Sequence, residues 1–106
     1  MLRGSEQKEW ELSVAESTVM ADDDRVRVTR WTFRSDGDAT GQHCHKLDYV
    51  VVPVTGGTFL VTDVEGPVRQ MIQAAGAPYL GVAGTAHDVA SIAGHEAVFV
   101  EIELKR

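Results

Sequence analysis

The chain is divided into short segments of β-type residues by turn residues, and this pattern most limits the folds that it can adopt. Segments such as 25–33, 58–64 and 97–104 are rich in Val, Thr and aromatic residues, and Gly, Pro and acidic residues interrupt them. Little in the sequence repeats with the period of a helix. Short antiparallel strands in 106 residues must close into a sandwich or small barrel to cover their apolar faces. The sequence therefore predicts an all-β fold.

The predicted strands follow one another with short connections. They are residues 25–33, 42–54, 58–64, 68–72, 79–82, 86–92 and 97–104. Thr-Gly-Gly at 55–57 predicts a hairpin turn between the second and third strands, and Glu-Gly-Pro at 65–67 predicts another. On the closing strand, alternation places the aliphatic side chains on one face and predicts that Glu101 and Glu103 face water.

Residues 25–106 are predicted to form a single domain, with residues 1–24 as an N-terminal extension or edge strand. Residues 14–20 fit either a strand or one helical turn. Because the three aspartates at 22–24 lack the alternating spacing of a calcium loop, they indicate a solvated turn.

Charge and composition narrow the possible partners and location. The formal net charge of −6 makes nucleic acid and anionic membranes unfavourable partners, because both bind clustered cations. The longest apolar run, residues 49–54, is too short to span a bilayer, and the first ten residues lack the apolar core of a secretory signal. Cys44 is the only cysteine, which excludes an internal disulfide. We expect a cytoplasmic protein.

Two histidines lie one residue apart where a loop meets an apolar strand. Strand alternation places His43, His45 and Tyr49 on one face, and two imidazoles at this spacing can occupy adjacent positions on a transition metal. A partly exposed pair of histidines at a strand end explains the same residues equally well. The pair alone leaves both interpretations open.

The spacing around this pair resembles the first motif of the cupin superfamily, in which Gly, five residues, His-x-His, a Glu and a second Gly follow in order. Gly37, His43, His45 and Gly56 match it, whereas the Glu position falls on Tyr49. This departure removes one carboxylate from the ligand set that many cupins use.

A second cupin motif is matched in part further along the chain. Gly76, Gly84 and His87 match, whereas Val82 replaces the motif's proline and Ser91 its asparagine. The chain also resembles the small bacterial cupins grouped with a β-alanine degradation protein. The resemblance extends from about residue 25 to the end and implies a double-stranded β-helix, the jelly-roll barrel of cupins.

The resemblance implies that His43, His45 and His87 bind a divalent transition metal. Fe(II) is favoured, with Zn, Mn or Ni as alternatives, since imidazole accepts all four. The missing glutamate implies weaker binding and more open coordination positions, similar to the arrangement in thiol dioxygenases. His95, the fourth histidine, is expected on the surface.

Several polar residues are further candidates for the site. Tyr49 is predicted either to donate a hydrogen bond to a bound ligand or to be a core aromatic, with equal support. Ser91 could line the pocket or occupy a strand end, and Arg30 could clamp a substrate carboxylate or lie on the surface. Asp48 is one residue out of register for a metal ligand.

The leading hypothesis is an oxygenase-type enzyme that acts on a small polar metabolite at a three-histidine metal centre. One alternative keeps the site but uses the metal as a Lewis acid for isomerisation or hydrolysis. Another is a cupin that binds or senses a small molecule without turning it over. A homodimer is expected, because several strands need to be covered.

Overall fold

The computed structural model describes residues 14–106, and in that range it contains nine β-strands and no helix. The prediction of an all-β fold is confirmed. Within this part of the chain, therefore, no helix has the length and apolar character needed to cross a membrane. The strands are β1 (Glu16–Asp22), β2 (Val26–Phe33), β3 (His43–Cys44), β4 (Tyr49–Pro53), β5 (Gly57–Asp63), β6 (Val68–Gln73), β7 (Tyr79–Gly81), β8 (Ala86–Ser91) and β9 (Ala97–Leu104).

The strands form two antiparallel sheets that pack face to face. One has the order β1-β2-β9-β4-β7 and the other the order β3-β8-β5-β6. Three phenylalanines meet between them: Phe33 lies 5.1 Å from Phe59 and 5.5 Å from Phe99, measured between ring centroids. Phe33 and Phe59 are completely buried. Because the two sheets share one apolar core, the molecule is a jelly roll, as predicted.

The strand predicted at 42–54 is divided into β3 and β4. The break does not detach residue 45, since its backbone N–H donates to Thr85 O at 2.8 Å and its carbonyl accepts from Gly84 N–H at 2.7 Å. On β3, His43 lies opposite His87 of β8. The interruption therefore keeps the first histidine in one sheet and lets Tyr49 begin a strand of the other.

The turn predicted at 55–57 is not a hairpin. β4 pairs with β7 and β9, whereas β5 pairs with β6 and β8, so the chain crosses between sheets at Gly56 and Gly57. Both glycines have positive φ, and a Cβ on Gly56 would lie 3.0 Å from backbone atoms of residues 73 and 75. The predicted hairpin turn at 65–67 is confirmed by the pairing of β5 with β6.

The prediction that Glu101 and Glu103 face water is wrong. β9 is an inner strand, paired with β2 on one side and β4 on the other, and its Phe99 lies in the core. Because side chains alternate, the two glutamates face the interior with Phe99, and the aliphatic row faces outward. The Glu101 side chain is only 12% exposed. The physical reason for the error is that the outer face of this sheet is itself apolar.

Of the segment 14–20, for which strand and helical turn were both open, residues 16–20 belong to strand β1, and Val14 forms an isolated β-bridge with Ala39. β1 is an edge strand paired antiparallel with β2, and its register shifts between Val19 and Ala21. The outermost strand of the five-stranded sheet therefore comes from the N-terminal part of the chain.

Candidate metal centre

Three histidines from two stretches of the chain converge inside the jelly roll. The Nε2 atom of His45 lies 3.2 Å from Nε2 of His43 and 3.3 Å from Nε2 of His87. The pairing of β3 with β8 brings His43 beside His87, and the turn after β3 directs His45 inward, where it is 5% exposed. One nitrogen from each ring can therefore reach a common point.

The surroundings of His43 fix which of its ring nitrogens is available. Its Nδ1 lies 2.8 Å from the carbonyl oxygen of Gly41. Because a carbonyl only accepts hydrogen bonds, Nδ1 carries the proton and donates it, which leaves Nε2 with a free lone pair. This is the tautomer that a metal-binding imidazole needs, and an acceptor on the second nitrogen is the usual companion of such a ligand.

The two other imidazoles are held in their neutral form. Burial, together with the neighbouring His43 and His87 rings, lowers the pKa of His45 to about 4. Burial also lowers the pKa of His87, and the His43 ring contributes in the same direction. Neutral imidazoles at neutral pH have lone pairs available for a metal. His87 Nδ1 is buried without a hydrogen-bond partner.

The donor set fits a divalent transition metal. Bonds from an ion to imidazole nitrogen measure about 2.0–2.1 Å, so two nitrogens on one ion lie roughly 2.9–3.4 Å apart. The two observed separations of 3.2 and 3.3 Å fall in this range. Several lone pairs at this distance repel one another unless a proton or a cation lies between them. The three histidines could therefore hold a metal ion.

A carboxylate that the sequence analysis had placed in water lies beside one of these histidines. Oε2 of Glu101 lies 3.7 Å from Nε2 of His45. Burial and the nearby Glu103 carboxylate raise the pKa of Glu101 to about 7, and the Trp31 side chain opposes this shift. Sequence reasoning missed this residue because the spacing of neither cupin motif reaches β9.

Tyr49 packs against the cluster. Its ring is stacked on His45 with centroids 3.9 Å apart and an angle of 19° between the planes. Its hydroxyl has a hydrogen bond with the Thr85 side chain, whereas burial raises its pKa. A Cβ at Gly81, the residue opposite Tyr49 on β7, would fall within the Tyr49 ring. Tyr49 is thus both a buried aromatic and a wall of the site.

The cluster opens into a cavity of about 350 Å³. Its walls are mostly apolar and include Val51, Val61, Met71, Leu80, Val89 and Phe99. Among residues 14–106, Arg69 is the one Lys or Arg side chain in this lining. It extends from β6, and its Nε lies 3.2 Å from a carboxylate oxygen of Asp63. A cavity of this size is suited to a small metabolite.

Two of the predicted site residues do not reach the cavity. Arg30 is exposed on the outer face of β2, opposite Val100 of β9. Ser91 is completely buried beyond the cavity lining, and its Oγ accepts a hydrogen bond from the N–H of Ala93 at 3.2 Å. The cation predicted for the pocket wall is present, but it is Arg69.

The two remaining candidates lie where expected. Asp48 is exposed, and its Oδ1 accepts a hydrogen bond from the N–H of Ala83 at 2.8 Å, away from the histidines. His95 is exposed in the turn before β9. The structure thus brings together His43, His45, His87 and Tyr49.

A jelly roll that encloses converging histidines from two strand regions defines a cupin. Comparison with solved structures agrees. The chain matches a cupin domain from Bordetella pertussis with a TM-score of 0.83 and 41% identity, over 88% of this chain and 95% of that one. A double-stranded β-helix protein from Klebsiella pneumoniae matches with a TM-score of 0.71 and 15% identity, over 87% of this chain and 77% of that one, and shows the fold alone.

A curated relative shows which cupins this chain resembles in sequence. The chain is 47% identical over 88 residues to the β-alanine degradation protein BauB of Pseudomonas aeruginosa. The aligned residues cover 83% of this chain and 90% of the relative. No protein-family model matches the chain. The chain belongs to the cupin superfamily and groups with the β-alanine degradation protein, as its motifs predicted.

Proposed function

We propose that this cupin is a metal-dependent enzyme of the oxygenase type that acts on a small polar metabolite. The observation that carries the proposal is the convergence of three imidazoles at a cavity of about 350 Å³. Three protein nitrogens leave coordination positions to which a substrate and dioxygen can bind. Fe(II) is the ion that we favour, and when bound it would supply activation of dioxygen or polarisation of the substrate.

The protein side chains have separate tasks in this proposal. His43, His45 and His87 hold the ion, and Gly41 keeps His43 in the required tautomer through its carbonyl. Tyr49 keeps the His45 ring in place and presents its hydroxyl to the cavity, where it donates a hydrogen bond to the bound ligand. The apolar walls exclude water from the ligand.

We further propose that the ligand is a small carboxylate. Arg69 lines the cavity, and a guanidinium binds a carboxylate through two parallel hydrogen bonds. The name of the Pseudomonas aeruginosa relative refers to degradation of β-alanine, which is itself a small carboxylate. β-Alanine and compounds of similar size are therefore the first ligands to test.

Metal content is the first experiment. The wild type, His87→Ala and His95→Ala are purified without a histidine tag, reconstituted anaerobically with iron, and analysed by plasma mass spectrometry. We expect near-stoichiometric iron in the wild type and in His95→Ala, whose imidazole is exposed in a distant turn, and little in His87→Ala. Full metal content in His87→Ala would refute the three-histidine centre.

Oxygen consumption then tests the reaction class. We expect the iron-loaded protein to consume dioxygen with a carboxylate substrate, and the His87→Ala variant not to. A protein that binds Zn, Mn or Ni and converts its ligand without oxygen would instead be a Lewis-acid isomerase or hydrolase. A protein that binds the ligand without forming a product would be a sensing or binding module.

We also propose a homodimer that forms through the outer face of the five-stranded sheet. Neighbouring positions on this face are aliphatic, namely Val50 beside Ile102 and Val52 beside Val100. A mostly aliphatic face, on which Arg30 lies beside Val100, can complement itself across a two-fold axis, so a second copy of the chain is the partner that we propose. We assign the protein to the cytoplasm, which fractionation of cells that express it would test.

A further inference from the structure

The sequence analysis left the metal centre without a carboxylate, and the structure offers one from an unexpected strand. Glu101 belongs to β9, far along the chain from both cupin motifs, yet its Oε2 lies 3.7 Å from His45 Nε2. Two donors bound to one ion through bonds of about 2.1 Å can be at most roughly 4.2 Å apart. The observed separation is therefore one that a single cation can bridge.

Glu101 is a buried carboxylate, and in the described part of the chain no cationic side chain lies beside it to explain its presence. Its side chain is 12% exposed and lines the cavity beside apolar walls. Within residues 14–106, no Lys or Arg nitrogen lies within 4 Å of it, whereas its neighbour Glu103 is 3.7 Å from Arg27. A buried carboxylate without a cationic partner is costly, and a bound cation would remove that cost.

The geometry of the strand also holds Glu101 in this place. Thr29 of β2 and Val51 of β4 flank it in the sheet, so its backbone cannot shift without disturbing two ladders. The Trp31 side chain also lines the cavity and favours the charged form of the carboxylate, because it lowers the pKa of Glu101 against the effect of burial.

We propose that Glu101 is the carboxylate of this metal centre, supplied by the closing strand in place of the residue at position 49, and that it strengthens the binding of a divalent cation. Tyr49 occupies the motif position and stacks on His45, which leaves the cavity side of the cluster open to Glu101. The Glu101 oxygens lie outside the group of histidine nitrogens that are all within 4.8 Å of one another, so the side chain would rotate toward the ion to complete a set of three imidazoles and one carboxylate. This inference rests on the proposed metal function of the three histidines.

The test is the affinity for cobalt, measured by competition with a coloured chelator in the absence of substrate. Glu101→Gln keeps the shape of the side chain and removes its charge, and Glu103→Gln removes a charge from the same face of the same strand. We expect Glu101→Gln to weaken cobalt binding by about 10- to 100-fold, the usual effect of losing a carboxylate that supports a metal site. We expect Glu103→Gln to bind like the wild type, and Glu101→Asp to recover part of the loss.

The visible absorption of bound cobalt gives an independent readout, because it reports the donors around the ion. We expect the Glu101→Gln spectrum to differ from that of the wild type, with unchanged circular dichroism of the metal-free protein. Equal affinity and equal spectra in the two proteins would overturn the role of Glu101. If neither the wild type nor His87→Ala binds cobalt, the three-histidine centre itself is overturned.

Discussion

The ring of Tyr49 lies flat against the ring of His45, with centroids 3.9 Å apart, at the position where many cupins have a metal-binding glutamate. A stacked aromatic cannot bind the ion, but it limits the rotation of the imidazole beside it. The aromatic residue at this motif position thus supports one of the three histidines that could hold a metal ion. Two predictions follow from this contact, one for each face of the Tyr49 ring.

Two substitutions of Tyr49 separate the role of its ring, which stacks on His45, from the role of its hydroxyl. Tyr49→Phe keeps the stack and loses the hydrogen bond with Thr85, so we expect unchanged metal content and a loss of about 1 kcal/mol in the free energy of unfolding. Tyr49→Ala removes the stack, and we expect a loss of about 3 kcal/mol together with weaker metal binding. Urea denaturation and chelator competition measure both effects.

The catalytic part of the Tyr49 proposal has its own readout. With a carboxylate that the wild type oxidises, Tyr49→Phe should consume oxygen more slowly at equal iron content. Equal rates would show that Tyr49 acts only through packing, and tight metal binding by Tyr49→Ala would show that His45 needs no support.

Gly81 supports the opposite face of the Tyr49 ring. Because an added Cβ would fall within that ring, Gly81→Ala must displace it, and overpacking of this kind costs about 1–3 kcal/mol. We expect weaker metal binding as well, since the displaced ring no longer holds His45. Ile72→Ala is the control, because Ile72 is 78% exposed on β6 and does not line the cavity. Wild-type stability and affinity in Gly81→Ala would disprove this chain of contacts.

The sequence was sufficient to predict the features that depend on neighbouring residues. Alternation and turn residues predicted most of the strands, and motif spacing predicted which three histidines meet. The hairpin at 55–57 was wrong because a tight turn can either reverse a strand within a sheet or carry the chain to the opposite sheet, and only long-range pairing decides between them. Strand β9 shows the same limit, since both of its faces carry apolar residues.

Arg30 and Arg69 illustrate why cavity residues were harder to predict than ligands. The alternation of β2 directs Trp31 toward the cavity and therefore Arg30 away from it. Arg69 lies on β6, in a segment that no motif includes, and it reaches the cavity only because β6 forms the edge of the four-stranded sheet. Neither direction follows from the local sequence.

Arg69 is predicted to determine the affinity for a carboxylate ligand. We expect Arg69→Gln to weaken the binding of a small carboxylate by roughly 10- to 100-fold, since a hydrogen bond to a charged group contributes about 1.5–3 kcal/mol. Metal content should not change, because Arg69 contacts Asp63 and none of the three histidines. Calorimetric titration of the iron-loaded protein with β-alanine and related carboxylates, without oxygen, measures this affinity.

Asp63→Asn is the control for Arg69, because it releases the guanidinium from its ion pair without removing it. Affinity in this variant should equal or exceed that of the wild type. Equal affinities in Arg69→Gln and the wild type would mean that the carboxylate binds elsewhere in the cavity.

The outer face of the five-stranded sheet provides the prediction on assembly. In analytical ultracentrifugation we expect the wild type to have twice the 11.5 kDa mass of one chain. We expect Val100→Lys to be a monomer, because its lysine would be buried in an aliphatic interface without a charged partner. Gln70→Lys places the same charge at an exposed position of β6, in the four-stranded sheet, and should remain a dimer. Circular dichroism establishes that both variants fold. A monomeric wild type would refute the dimer, and a dimeric Val100→Lys would place its interface on another face.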